Sequence, residues 1–247
     1  MSPEARFQGL KVVVLIVSVA GGIALFYFTF RAREGVPNLT VAFGWNFFYL
    51  LAHFAAFLWL PTLGVKLAPE LYFGATFCAT LPVIVSSFGP ARERIWGRVQ
   101  WSLKEGWVTF ILAAAICFAF HWAYVRFYEL LAHARLPHMR ISDHVREMKL
   151  ISWWLPYVVY AILGPVTEEI CSRGYQFDAL RKRISGRATI VVTALAFALF
   201  HMNWRHFPLH FVAGLILGWL RWRSGSLRIP ILFHALNNGL FVWFVKV

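Results

Sequence analysis

Residues 12–30, 39–60, 71–89 and 107–125 of this chain each run for 19 to 22 residues without an Asp, Glu, Lys or Arg. A helix of that length crosses about 30 Å of hydrocarbon. In lipid every backbone N–H and C=O must find its partner inside the protein, which favours helices and excludes open sheets. Four spans follow from these runs. The composition agrees, with 60% hydrophobic and 14% charged residues, where a soluble domain carries about 25% charged ones. Polar residues interrupt the apolar stretches of the second half, at 151–180, 190–207, 207–222 and 229–247. Reading these as four further helices gives an all-α, polytopic transmembrane helical bundle of about eight spans. The protein is then an integral, multi-pass membrane protein, placed in the cell (inner) membrane if the source is prokaryotic.

Arg6 and Lys11 precede the first run as the n-region of a signal peptide would, but 19 apolar residues closed by Arg31 are too long for a typical signal core. A retained first helix is expected. Cys78, Cys117 and Cys171 all fall inside expected helices with no paired spacing, so neither a disulfide framework nor a thiolate metal site is expected. The net charge of +13 is spread over short connections between spans rather than a basic domain interleaved with aromatics. That distribution argues against nucleic acid and for anionic headgroups of the lipid bilayer as the partner.

Connections on one side carry 13 Lys and Arg, among them Arg92, Arg94, Arg98, Arg181, Arg187, Arg223 and Arg228, against 5 on the other. The positive-inside rule puts the richer set in the cytoplasm. The five cations of residues 126–149 raise the poorer side to 10. No linker or repeat divides the chain. The expected organisation is a set of N-terminal transmembrane helices over 1–149, with an interfacial connector at 126–149, and a catalytic core over 150–247. The connector mixes Phe127, Leu130, Leu131 and Met139 with charge, as a helix lying among headgroups would.

Ionisable side chains inside a bilayer are rare and mark functional sites by default. Glu168 and Glu169 lie between Ile151–Thr167 and Ile170–Phe177, within what reads as one long helix. Glu169 and Arg173 are four apart and share a helix face, the favourable order for an ion pair. Glu168 is turned by about 100° from Glu169 and must face another helix. Phe197 with His201, and His234 with Asn238, repeat the i,i+4 spacing on two later helices. At about 1.5 Å per residue, Glu168 lies about 20 Å from Arg181 and His201 about 21 Å from Arg187, a common depth. His234 is about 9 Å from Arg228 and needs tilt to reach that level. Other polar positions read as structural: His53 and His121 as satisfied core residues, Gly214 and Gly218 as a small-residue packing face. His206 and His210 flank Pro208, which suggests a loop or first helical turn, and two His alone complete no metal site.

The ordered set Glu168-Glu169-Ile170-Cys171-Ser172-Arg173-Gly174, Phe197-x-x-x-His201 and His234-x-x-x-Asn238 resembles the CPBP family of glutamate-dependent intramembrane proteases, also called the CAAX protease and bacteriocin-processing or Abi family. The likeness covers about residues 150–245. Ser172 departs from it, since the family usually has an aromatic residue before the motif Arg. The resemblance implies that Glu168 and His201 hold and activate a water, that His234 and Asn238 stabilise the oxyanion, and that Glu169 and Arg173 support the site. The substrate implied is a membrane-anchored protein or peptide, cut near its C-terminal end.

Residue chemistry agrees with those roles. Peptide hydrolysis needs a base for water and donors aimed at the developing oxyanion. No Gly-x-Ser-x-Gly, HExxH or paired intramembrane Asp is present. One Glu and two His are also a catalytic zinc set. Because Asn238 shares a face with His234, and a ligating Glu168 would leave no obvious base, the expectation is no cofactor, with zinc as the minority reading. Two other classes compete: a non-proteolytic immunity or scaffold protein of the same fold, and a proton-coupled transporter using Glu168 and His201 as a relay.

Overall fold

The computed structural model describes residues 3–31, 39–59, 69–89, 92–133 and 140–246, with side chains described from Ile16 onward and not over 53–59, 69–75 and 140–141. His53 therefore lies outside the described side chains. All regular structure among the described residues is helical: α1 (Pro3–Arg31), α2 (Leu39–Trp59), α3 (Pro69–Ser87), α4 (Arg92–Trp96), α5 (Leu103–Ala132) and α6 (Arg140–Ile151). Then comes one continuous helical rod that changes its winding three times. Its parts are a π-helical stretch Tyr157–Leu163, α7 (Gly164–Glu169), a second π-helical stretch Ile170–Gln176, and α8 (Phe177–Arg181). The chain closes with α9 (Gly186–Phe200), α10 (Phe207–Ser224) and α11 (Arg228–Phe244).

α5 is the helix whose length and composition suit a membrane span among the described residues. It is apolar on all sides, yet Ala113 is its one buried residue, and Phe118 is 74% exposed. An apolar surface of that extent calls for hydrocarbon around it. Shorter apolar helices occur at Ile16–Arg31, Leu39–Ala52, Thr76–Ser87 and Gly186–Phe200. α5 is longer than the run 107–125 suggests at both ends. At its start Ser102 and Glu105 form a capping box, with Glu105 N donating to Ser102 Oγ (3.2 Å) and Ser102 N to Glu105 Oε2 (3.0 Å). At its end the helix takes in residues 126–132, which the connector reading had assigned to a headgroup helix. The amphipathic part of that connector is α6, whose Val145 and Met148 pack on Leu155, Val159, Tyr160 and Val242.

α1 to α3 reach the rod through aromatic and hydroxyl contacts. Trp45 stacks on Tyr175 (6.2 Å between centroids) and its Nε1 donates to Thr29 Oγ1 (3.0 Å), while the Tyr175 hydroxyl bonds Ser86 Oγ (2.7 Å). On the opposite flank α5, α9, α10 and α11 share a core of Ala113, Phe197, Ile216, Leu217, Leu220 and Phe233.

Gly214 and Gly218 form the close face of α10 on α9, as their spacing suggests. A Cβ on Gly214 would lie 2.9 Å from Ala194 Cα, and one on Gly218 3.2 Å from Ile190 Cγ2. Gly214→Ala must push the two helices apart, at a cost of about 1–3 kcal/mol. The expected result is a lower melting temperature in detergent; an unchanged value would mean that α9 and α10 do not approach this closely.

Candidate active site

The rod's winding places the two glutamates. In the first π-helical stretch Gly164 N donates to Val159 O, five residues back. The next amide that could continue the pattern belongs to Pro165, which has no N–H to give to Tyr160 O. Asn238 Nδ2, from α11, donates to it at 2.9 Å. In the second stretch Arg173 O receives Arg221 Nε, from α10, at 3.1 Å. Widened turns of this kind often mark functional sites, and here each exposes a carbonyl that a neighbouring helix takes up.

Glu169 and Arg173 are both 0% exposed and form the expected pair, Arg173 Nη1 to Glu169 Oε1 at 3.1 Å. Arg173 also donates Nη2 to Gly214 O (2.9 Å), and its guanidinium lies 4.5 Å from the centroid of Phe197. Burying an arginine of this kind depends on matching its charge, and here the two terminal nitrogens find acceptors while Nε has no hydrogen-bond partner. Glu169 has a second partner that spacing along one helix does not reveal: His234 Nδ1 lies 3.0 Å from the same Oε1.

Glu168 points away from that pair, as the 100° offset requires. Its Oε2 lies 3.9 Å from His201 Nε2 and 3.9 Å from His234 Nε2, and that oxygen has no hydrogen-bond partner in the protein. Glu168, His201 and His234 thus converge, and His234 reaches the level of the other two. His201 stands just past the end of α9, as its C-terminal cap, rather than within a helix over 190–207. Its ring is held by Nδ1 against Phe197 O at 2.8 Å. Met202, next in the chain, has φ +47°, a left-handed conformation that non-glycine residues seldom adopt. His206 is the N-cap of α10, with Pro208 in its first turn, and its Nδ1 lies 3.1 Å from Asn203 Oδ1.

A carbonyl and a carboxylate can only accept, so these contacts call for a proton on Nδ1 of both His201 and His234, and each ring turns its Nε2 toward Glu168. Glu168 Oε2 and the two Nε2 atoms therefore meet around one point. A separation of 3.9 Å is beyond a direct hydrogen bond and within the span of one bridging water. Asn238 has one amide hydrogen engaged by Tyr160 O and one left over. Among the described residues no three His, Cys, Asp or Glu side chains form a group fit to hold a metal ion, and all three cysteines are free.

Residues 150–240 match the family described as Type II CAAX prenyl endopeptidase Rce1-like. The chain is 28% identical over 113 residues to the membrane-embedded CAAX protease MroQ of Staphylococcus aureus (strain USA300), covering 42% of this chain and 46% of that protein. It is 27% identical over 88 residues to YdiL of Bacillus subtilis (strain 168), named as a candidate membrane peptidase, covering 36% of each. The matches thus span less than half the length of either relative. No solved structure matches at a significant level.

Proposed function

We propose, on the premise that residues 150–240 are a stretch of CPBP-family chain, that this protein is an intramembrane endopeptidase. It cuts a peptide bond near the C-terminal end of a membrane-anchored protein or peptide. The bundle crosses the bilayer about eight times, with α5 as the span of clearest length. The observation that carries the reading is Glu168 Oε2 facing both Nε2 atoms at 3.9 Å with no protein partner of its own.

Chemistry follows from the donor and acceptor count. A water between Glu168 Oε2 and His201 Nε2 gives a hydrogen to each and turns a lone pair toward the scissile carbonyl carbon. As oxygen attacks carbon, one water proton passes to Glu168. The resulting oxyanion is met by the free Asn238 amide hydrogen and by His234. In this scheme His234 donates from Nε2 while its Nδ1–H stays on Glu169, so both ring nitrogens carry a proton. Glu168 then returns its proton to the leaving amine, the C–N bond breaks, and a carboxylic acid forms, whose remaining proton passes to the released amine or to solvent to leave a carboxylate. Glu169 and Arg173 hold His234 and the rod in register.

The assay is cleavage of a membrane-anchored peptide set by the full chain in proteoliposomes, with products identified by mass spectrometry. Absence of any cleavage under conditions where the protein is folded would overturn the assignment and favour the immunity, scaffold or transporter readings.

The water is held without metal in this scheme. A zinc ion on Glu168, His201 and His234 would leave no base, since Glu169 is already committed to Arg173 and His234. Cleavage is therefore expected to survive exhaustive chelation, with no stoichiometric zinc by elemental analysis of the same sample. Loss of cleavage that one equivalent of zinc restores would make those three side chains ligands instead.

A further inference from the structure

His210 lies in the first turns of α10, one helix away from His201 in sequence, and its ring stacks on the His201 ring with centroids 3.9 Å apart and planes 22° from parallel. That contact is the tightest ring pair among those described, closer than Phe197 to His201 at 4.6 Å. His201 needs outside support. It stands where α9 has ended, and it precedes Met202 with its left-handed backbone. Its own helix offers the Phe197 carbonyl at Nδ1 and the Phe197 ring, tilted by 57°. His210 supplies a flat face from α10, the same helix whose Gly214 carbonyl receives Arg173.

We propose that His210 is a positioning residue that fixes the plane of the His201 ring by stacking, so that Nε2 stays aimed at Glu168. The role belongs to its flat face, since His210 shows no hydrogen bond from either ring nitrogen to the described residues. A misplacement of about 1 Å at a catalytic group can cost about 10²-fold in rate, which is why a contact with no chemistry of its own matters here.

The inference rests on the proposed hydrolytic role of His201, and two readouts separate the two ideas. The first is kinetic, with the full chain in proteoliposomes. Both His210→Ala and His210→Leu are expected to lower kcat by about tenfold or more with KM changed less than about twofold, while His210→Phe regains activity to within about threefold of wild type. Leu keeps bulk without a ring face, so it decides the matter should the Ala variant not fold. The second readout is independent of activity: the ring protons of His201 in an NMR spectrum of histidine-labelled protein, assigned by His201→Gln. Stacking shifts them upfield in wild type and His210→Phe, and the shift is lost in the Leu variant. Activity unchanged in Ala and Leu, or a Phe variant as slow as Leu, would overturn the stacking role. The second of these results would assign the effect to the ring nitrogens. If wild-type protein cleaves nothing, the hydrolytic reading falls while the NMR shift still decides the positioning, and an upfield shift that persists in Leu overturns it.

Discussion

Glu168→Gln is expected to reduce cleavage by on the order of 10²–10⁴-fold, the range that general acid–base catalysis contributes. The substitution keeps shape and size. It replaces an oxygen that faces the Nε2 atoms of His201 and His234 at 3.9 Å with a group that cannot take a proton from water at neutral pH. Folding is expected to be untouched, because the Glu168 side chain is 26% exposed and its Oε2 has no hydrogen bond to lose. His201→Ala removes the second anchor of the water and is expected to fall in the same range. The measurement is single-turnover cleavage in proteoliposomes beside thermal melting of the same preparations. A Gln variant that cleaves within a few-fold of wild type would dismiss Glu168 as the base.

Arg173→Ala acts on stability first. The side chain is fully buried and donates to Glu169 Oε1 and Gly214 O while lying over Phe197. Its loss leaves a buried carboxylate with His234 as its remaining partner. Breaking one side of a buried ion pair costs about 3–5 kcal/mol, so a large fall in melting temperature in detergent is expected. Adding Glu169→Gln should recover part of it, because a neutral amide no longer needs the guanidinium, and the double-mutant cycle isolates the coupling. A single variant that melts like wild type but does not cleave would instead place Arg173 in the chemistry.

Much of the candidate site's geometry was legible because charge in an otherwise apolar stretch is expensive enough to stand out. Two adjacent glutamates with Arg173 four residues on settled the local pair, and the 100° turn between them settled that Glu168 looks elsewhere. The His234 to Glu169 bond was not legible, since it joins residues 65 apart through the tilt of α11. Nor was His210, because Pro208 drew attention to the turn rather than to the ring beyond it. Two missed features had signals in the chain. Ser102 and Glu105 at S-x-x-E spacing mark the true start of α5, and Pro165 in the middle of an apparently regular helix marks a carbonyl that needs an outside donor. The number of membrane crossings was less legible than the helices themselves. α2 and α3 keep their expected bounds to within two residues, yet length and apolarity sufficient for a span are met by α5 among the described residues.

The two π-helical stretches make residue count a part of the candidate active site. Such a stretch bonds each amide to the carbonyl five residues back, so it holds one residue beyond what an α-helix would use over the same rise. Glu168 sits between two of them. Deleting a single residue from Tyr157–Leu163 would let that stretch relax to regular winding over the same rise and close the wide turn that presents the Tyr160 carbonyl to Asn238. Deleting one from Gly164–Thr167 would turn Glu168 by about 100° against the preceding rod and away from both histidines, although every residue of the candidate site remained in the chain. The rod between Pro156 and Ser185 therefore tolerates exchange of its outward side chains more readily than any change in its length.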